Sequence, residues 1–129
     1  MYGRLPALAK YMNEVLVDTN VMVYCFDRKI DINTIIDQFF QSGFKILTLK
    51  KCIYELSKIG RDDVKSFFLS YKIEIIDSDN DKTTDDVILD ICSKNNFYLF
   101  TEDNILIERA KSLGIKTLSL SGNSIKFNK

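Results

Sequence analysis

The sequence predicts an α/β fold: a three-layer, doubly wound sandwich around a central parallel sheet of five strands. Three observations predict it. Short apolar runs rich in β-branched and aromatic residues alternate along the chain with segments whose apolar residues recur at helical spacing. The runs end repeatedly in Asp, Thr, Asn or Ser, the residues that close strands and cap the helices that follow. Strands separated by helices must run parallel and be covered on both faces. The 129 residues, 46% hydrophobic and 28% charged, fit one compact domain.

The elements follow in order. Val15, Leu16 and Val17 form the first strand, which stops at Asp18-Thr19-Asn20. Val21 to Phe26 is apolar all round and reads as a buried helix starting in the same turn, although periodicity alone also allows more strand. From Asp31 to Phe40, Ile32, Ile35, Ile36, Phe39 and Phe40 share a helical face that ends near Ser42-Gly43. Lys45 to Leu49 is the second strand. Cys52, Ile53, Leu56 and Ile59 place a helix over Lys51 to Ile59 with Gly60 behind it, and another helix spans Asp62 to Tyr71. Ile73, Ile75 and Ile76 make the third strand, followed by an acidic loop from Asp77 to Asp81. Thr83 or Thr84 caps a helix to Asn95. Phe97 to Phe100 is the fourth strand, Asn104 to Leu113 a helix closed by Gly114, and Lys116 to Leu120 the fifth strand. The domain therefore spans 14–120, with an N-terminal extension at 1–13 and a loose C-terminal tail at 121–129.

Composition excludes several kinds of chemistry. There is no histidine, so Ser-His-Asp and Cys-His catalysis are out. A zinc site is disfavoured for the same reason and because no CxxC pair occurs. Cys25, Cys52 and Cys92 are odd in number and set among apolar neighbours, which points to buried reduced thiols. No apolar stretch approaches the roughly 20 residues of a membrane span, and the first residues lack an apolar leader segment, so a cytoplasmic protein is expected. The 18 basic and 18 acidic residues balance, which leaves no global field to attract nucleic acid.

Residues that follow the strands of an open parallel sheet gather along its carboxyl edge, where such folds bind ligands at the point of reversed strand order. Asp18 follows the first strand and Asp103 the fourth. Glu55 lies on the helix after the second strand, and Asp85 and Asp86 open the helix after the third. At about 100° per residue, Glu55 falls at the margin of its helix's apolar stripe. Asp85 sits on the side of Ile88, Leu89 and Cys92, whereas Asp86 shares the polar face with Asp90, so Asp85 is the better ligand candidate. Taken singly, each acid has an ordinary explanation: a strand-ending turn for Asp18, an exposed helix carboxylate for Glu55, helix-terminus charges for Asp85 and Asp86, an N-cap for Asp103. Their joint placement gives the functional reading. Clustered carboxylates repel unless cations neutralise them, and an all-oxygen donor set favours Mg2+ or Mn2+, one ion or two.

Four segments in this order, VLVDTNVMVY, YELSK, TTDDVILDIC and LFTEDNILIERAKSLGIKTLSL, resemble the PIN-domain family over about Val15 to Leu120. The resemblance implies a metal-dependent endoribonuclease that hydrolyses RNA phosphodiester bonds. It matches Asp18, Glu55, Asp85 and Asp103 to the family's four acidic positions, and Thr19, Asn20 and Thr101 to polar positions that orient ligands or phosphate. Asp86 doubles the third acid, as in the archaeal and eukaryotic rRNA-processing branch, which keeps it a metal-ligand candidate beside Asp85. A VapC-like toxin with an antitoxin protein as partner and an RNA-processing nuclease share this chemistry, and a homodimer is compatible with either.

Lys50, Lys51, Arg28, Arg109 and Lys111 lie near the expected edge as candidates for phosphate contact or as solvated surface. Tyr24, Phe26, Phe39, Phe40, Phe67 and Phe68 fall at helical spacing, which assigns them to the core or a dimer interface ahead of base stacking. Two other functions compete: a catalytically inactive PIN-like RNA-binding or scaffold module, against which the complete acidic set counts, and a phosphoacceptor signalling domain. The latter needs a lysine after the last strand, but Lys116 precedes the fifth strand and Glu55 has no role there.

Overall fold

A computed structural model of the chain describes residues 12–78 and 81–129. Most of the N-terminal extension thus lies outside the described residues. Strand β1 (Asn13–Val17) leads into helix α1 (Thr19–Asp27), helix α2 (Ile32–Phe40) and strand β2 (Phe44–Leu49). Helices α3 (Lys50–Lys58) and α4 (Asp62–Leu69) connect to β3 (Glu74–Ile76). Helix α5 (Thr84–Asn95), β4 (Tyr98–Phe100), helix α6 (Asn104–Ser112), β5 (Thr117–Ser121) and β6 (Ser124–Asn128) complete the chain.

The sheet order is β3-β2-β1-β4-β5-β6, with the first five strands parallel and β6 antiparallel to β5. Consecutive strand residues are buried whichever way their side chains point: Val15, Leu16 and Val17 in β1, Leu99 and Phe100 in β4. Both faces of the sheet are therefore covered, as a parallel sheet requires. Helices α1, α3 and α4 pack on one another, and α5 packs on α6 and β4. Side chains of Asp18, Asp31, Thr83 and Asp103 cap the four helices that follow them, each accepting from backbone N–H groups of the first turn. All three cysteines are free and buried, and burial pushes their thiols up to about 12, so they remain protonated.

The sheet has six strands where the sequence reading has five, and the segment taken for a loose tail is the sixth. Gly122, with φ of 62°, and Asn123 form a two-residue hairpin loop between Ser121 and Ser124. A positive φ at the first loop residue is the type II′ geometry that matches strand twist, and glycine adopts it without strain. Strand β6 is half-exposed and polar, so no continuous apolar run marks it.

The chain leaves β1 for β2 on one side, and later returns from β3 to β4 on the other side of β1. The strand order therefore reverses between β1 and β4. The carboxyl ends of these two strands sit side by side, Val17 opposite Phe100, and the crevice above such a point is where doubly wound folds place ligands.

Candidate metal centre at the switch point

The first carboxylate sits at that crevice because β1 ends there. Asp18 is the N-cap of α1 and is 7% exposed. Its Oδ1 accepts from the Thr19 backbone N–H at 2.8 Å, and its Oδ2 accepts from the Thr101 hydroxyl at 2.8 Å and from Asn20 Nδ2 at 3.4 Å. The backbone N–H of Asp18 donates to the Phe100 carbonyl at 3.0 Å, which continues the β1–β4 ladder to the acid itself.

Thr101, fully buried, follows β4 and ties the site together. While its hydroxyl donates to Asp18, the same oxygen accepts from the Asp103 backbone N–H at 3.1 Å and from Asn20 Nδ2 at 3.4 Å. Asn20 Oδ1 accepts from the Glu102 backbone N–H at 3.1 Å, and Glu102 in turn anchors the Leu120 N–H at 2.6 Å. The start of α1 and the loop after β4 are thus one hydrogen-bonded unit.

Asp103 is the N-cap of α6; its Oδ1 accepts from the N–H groups of Ile105 and Leu106 at 2.9 and 3.1 Å. Glu55 reaches in from α3, where its Oε1 accepts from the Thr19 hydroxyl at 3.0 Å. Asp85 comes from the first turn of α5 and is partly buried, and among the described residues no side chain or backbone group bonds to it. An ionised carboxylate held off solvent without a donor is costly, and its neighbours make it costlier.

Asp18, Thr19, Asn20, Glu55, Asp85 and Asp103 line one open cleft of about 630 Å³. Burial raises the Asp18 carboxyl above its usual range, with the charges of Asp85 and Glu55 adding to the rise while Thr101 and Thr19 oppose it. Asp85 is raised as well, first by burial and then by the charge of Asp103, with Arg109 opposing. Four acids from four separate elements therefore feel one another across the cleft.

Oxygens of Asp18 and Glu55 and the Cys52 sulfur lie within 4.8 Å of one another. The sulfur is a protonated thiol, so the donors it leaves to a cation are the carboxylate oxygens, together with the unpartnered carboxylate of Asp85. That set fits a hard divalent cation in donor type and in charge.

Not every candidate joins the cleft. Asp86 turns outward and accepts from Arg109 at 2.7 Å, an ion pair that holds its carboxyl below the usual range. Thr101 lies beneath the acids without lining the cleft. Lys50 and Lys51 line a separate small cavity with Tyr54 and Asp77, and Lys111 pairs with Glu108 at 3.8 Å. Lys116 stacks on Tyr98, 4.3 Å from the ring centre, and lines a different cavity, so the lysine a phosphoacceptor site needs is not at these acids.

Two assignments need correction. Tyr24, assigned by its spacing to the core or a dimer interface, is half-buried and stands in the cleft wall. Ile59, counted on the inner face of its helix, is 58% exposed and lines the same cleft. The signal for Tyr24 was present: it lies four residues beyond Asn20, hence on the helix stripe that carries the polar ligand-orienting position. Phe68 is buried, and Phe26, Phe39 and Phe40 pack against the core.

No protein-family model and no curated protein sequence matches the chain. Solved structures do. The PIN domain endonuclease Utp24 superposes with a TM-score of 0.81 and 21% identity, over 89% of this chain and 90% of that one. A domain of a functionally unknown protein from Methanocaldococcus jannaschii DSM 2661 gives a TM-score of 0.59 and 19% identity, over 85% and 92% of the two chains. The strand order, the acidic cleft at its reversal point and this likeness together identify the fold that the four sequence segments imply: the chain has the PIN-domain fold.

Proposed function

We propose that the protein is an Mg2+- or Mn2+-dependent endoribonuclease that hydrolyses RNA phosphodiester bonds at Asp18, Glu55, Asp85 and Asp103. The observation that carries this reading is the convergence of four carboxylates from four elements on one cleft, with the half-buried Asp85 lacking any hydrogen-bond partner among the described residues. Protein groups neutralise only part of that charge. Bound at these oxygens, divalent ions supply neutralisation of the scissile phosphate and raise the acidity of a nearby water.

The chain's own residues do the rest. Asp18 is held by four donors, the Thr19 N–H, the Thr101 hydroxyl, Asn20 Nδ2 and the Cys52 thiol, so its free lone pairs keep a fixed direction. Thr19 fixes Glu55 in the same way. Thr101 couples Asp18 to the backbone of Asp103, so the acids after β1 and β4 keep their spacing. Asp86 acts through Arg109 rather than as a ligand, limiting the positive charge that Arg109 lends to Asp85. Such positioning of ligands by surrounding hydrogen bonds is what a metal site requires for affinity.

Cleavage of a generic RNA with Mn2+ tests the proposal. Wild type is expected to cut, and Asp18→Asn and Asp103→Asn to lose at least 100-fold in rate; equal rates in all three reject the assignment. Toxin and RNA-processing roles use the same chemistry, and mapping the cut ends in total RNA separates them by the transcripts hit. Among the described residues no helix is long and apolar enough to cross a membrane.

A further inference from the structure

One wall of the cleft has nothing to offer a metal ion. Val23 and Tyr24 of α1, Arg28 just after it and Ile59 just after α3 line it beside the carboxylates. Val23 and Ile59 present only hydrocarbon, and Ile59 is 58% exposed, so its side chain is open to a ligand in the cleft. Arg28 is the only cation among the lining residues. Its guanidinium lies 4.3 Å from the centre of the Tyr24 ring, and among the described residues it forms no ion pair. The adjacent Asp27 does not neutralise it, because Arg61 holds both Asp27 oxygens at 2.7 and 3.0 Å. The wall is therefore an apolar and aromatic surface carrying one uncommitted positive charge, in a cleft that is otherwise acidic.

We infer that this wall is a nucleotide subsite beside the scissile phosphate, in which an unpaired base stacks on Tyr24 against Val23 and Ile59 while Arg28 contacts that nucleotide's phosphate. The inference rests on the nuclease reading of the neighbouring acids and adds to it how the strand is held. Aromatic rings and guanidinium planes both stack on bases, and they do so whatever the base, because every base has a π face. A base inside a duplex has both faces covered by its neighbours, so the subsite selects unpaired strand. Arg28 is exposed on a flexible stem and can leave the ring for a phosphate oxygen without breaking an ion pair.

The test uses the full chain and a single-stranded RNA oligomer carrying 2-aminopurine, whose fluorescence is quenched by stacking. Binding is read in the Asp103→Asn background with Mg2+, and KM and kcat in the active protein with Mn2+. Tyr24→Ala is expected to weaken binding about tenfold and abolish the quench, raising KM more than it lowers kcat, while Tyr24→Phe retains both. Arg28→Ala is expected to weaken binding severalfold and flatten its salt dependence by about one phosphate contact. Ile59→Asn and Arg28→Ala change exposed positions and carry the test if Tyr24→Ala melts early. Unchanged affinity, quench and KM in the Tyr24 and Ile59 variants of a protein that does cleave RNA overturn the subsite alone. A wild type that neither binds nor cleaves the oligomer overturns the nuclease reading and the subsite with it.

Discussion

Thr101→Val removes one hydroxyl and almost no volume, so it isolates the hydrogen bonds that hold the acids in place. The Thr101 side chain is fully buried, and its oxygen donates to Asp18 at 2.8 Å and accepts the Asp103 N–H at 3.1 Å. A hydrogen bond to a charged group contributes about 1.5–3 kcal/mol, and a partly buried N–H left unpaired costs about 1 kcal/mol or more. Allowing for relaxation, the loss is about 2–4 kcal/mol. With an unfolding entropy of about 2.1 cal/mol/K per residue over 129 residues, that lowers Tm by about 7–15 °C. The hydroxyl is also the strongest influence opposing the burial-driven rise of the Asp18 carboxyl. Its removal raises that carboxyl further, so protons compete better with a cation and the acid limb of Mn2+ binding moves to higher pH. Differential scanning fluorimetry and Mn2+ titrations between pH 5 and 8 measure both effects, with Thr101→Ser as the control that keeps the hydroxyl. A Thr101→Val protein that melts within 2 °C of wild type and binds Mn2+ with an unshifted acid limb refutes the reasoning.

Other consequences follow from the same geometry. The Asp18 and Asp85 carboxyls are raised in the folded protein, so their contribution to stability is complete below their unfolded values and is lost as pH rises through the folded ones; the metal-free protein should gain Tm from these groups as pH falls from neutrality, and saturating Mn2+ should oppose that trend. Asp85 has no hydrogen bond to lose among the described residues, so Asp85→Asn should raise the metal-free Tm at pH 7 while weakening Mn2+ binding at least tenfold, both read by fluorimetry with and without the ion. Arg109→Ala removes the positive charge that opposes the rise of Asp85 and should shift the acid limb of cleavage to higher pH without abolishing activity. Phe100→Ala empties a fully buried position on the strand beside Asp18 and should cost about 3–5 kcal/mol by urea denaturation.

The order of elements was legible because β1, β3 and β4 are apolar runs ended by Asp18, Asp77 and Thr101, and most of the helices show an apolar stripe. Asp31 and Thr83 mark helix starts in the same way: both stand before a helical stripe, and both cap the helix in the structure. Strand β6 escaped because Ile125 and Phe127 alternate with polar residues at an edge that is only half covered. The Gly-Asn pair at 122–123, flanked by alternation, was the available sign of a hairpin. Within the site, the side on which Asp85 and Asp86 project was readable from steps of 100°, and the structure adds why Asp86 turns away: Arg109, 23 residues downstream, pairs with it. Such a partner across two helices leaves no local mark in the sequence. Tyr24 and Ile59 were harder, because helical spacing says which residues share a face but not whether that face meets the core or a cleft.

Diffraction from crystals grown with Mn2+, collected at the manganese absorption edge, tests the central claim most directly. One or two anomalous peaks are expected in the cleft, at coordination distance from oxygens of Asp18, Asp103 and at least one of Glu55 and Asp85, with Asp86 still paired to Arg109. A cleft with no peak at saturating Mn2+, or a peak held by Asp86 with Asp18 and Asp103 uninvolved, would contradict that claim.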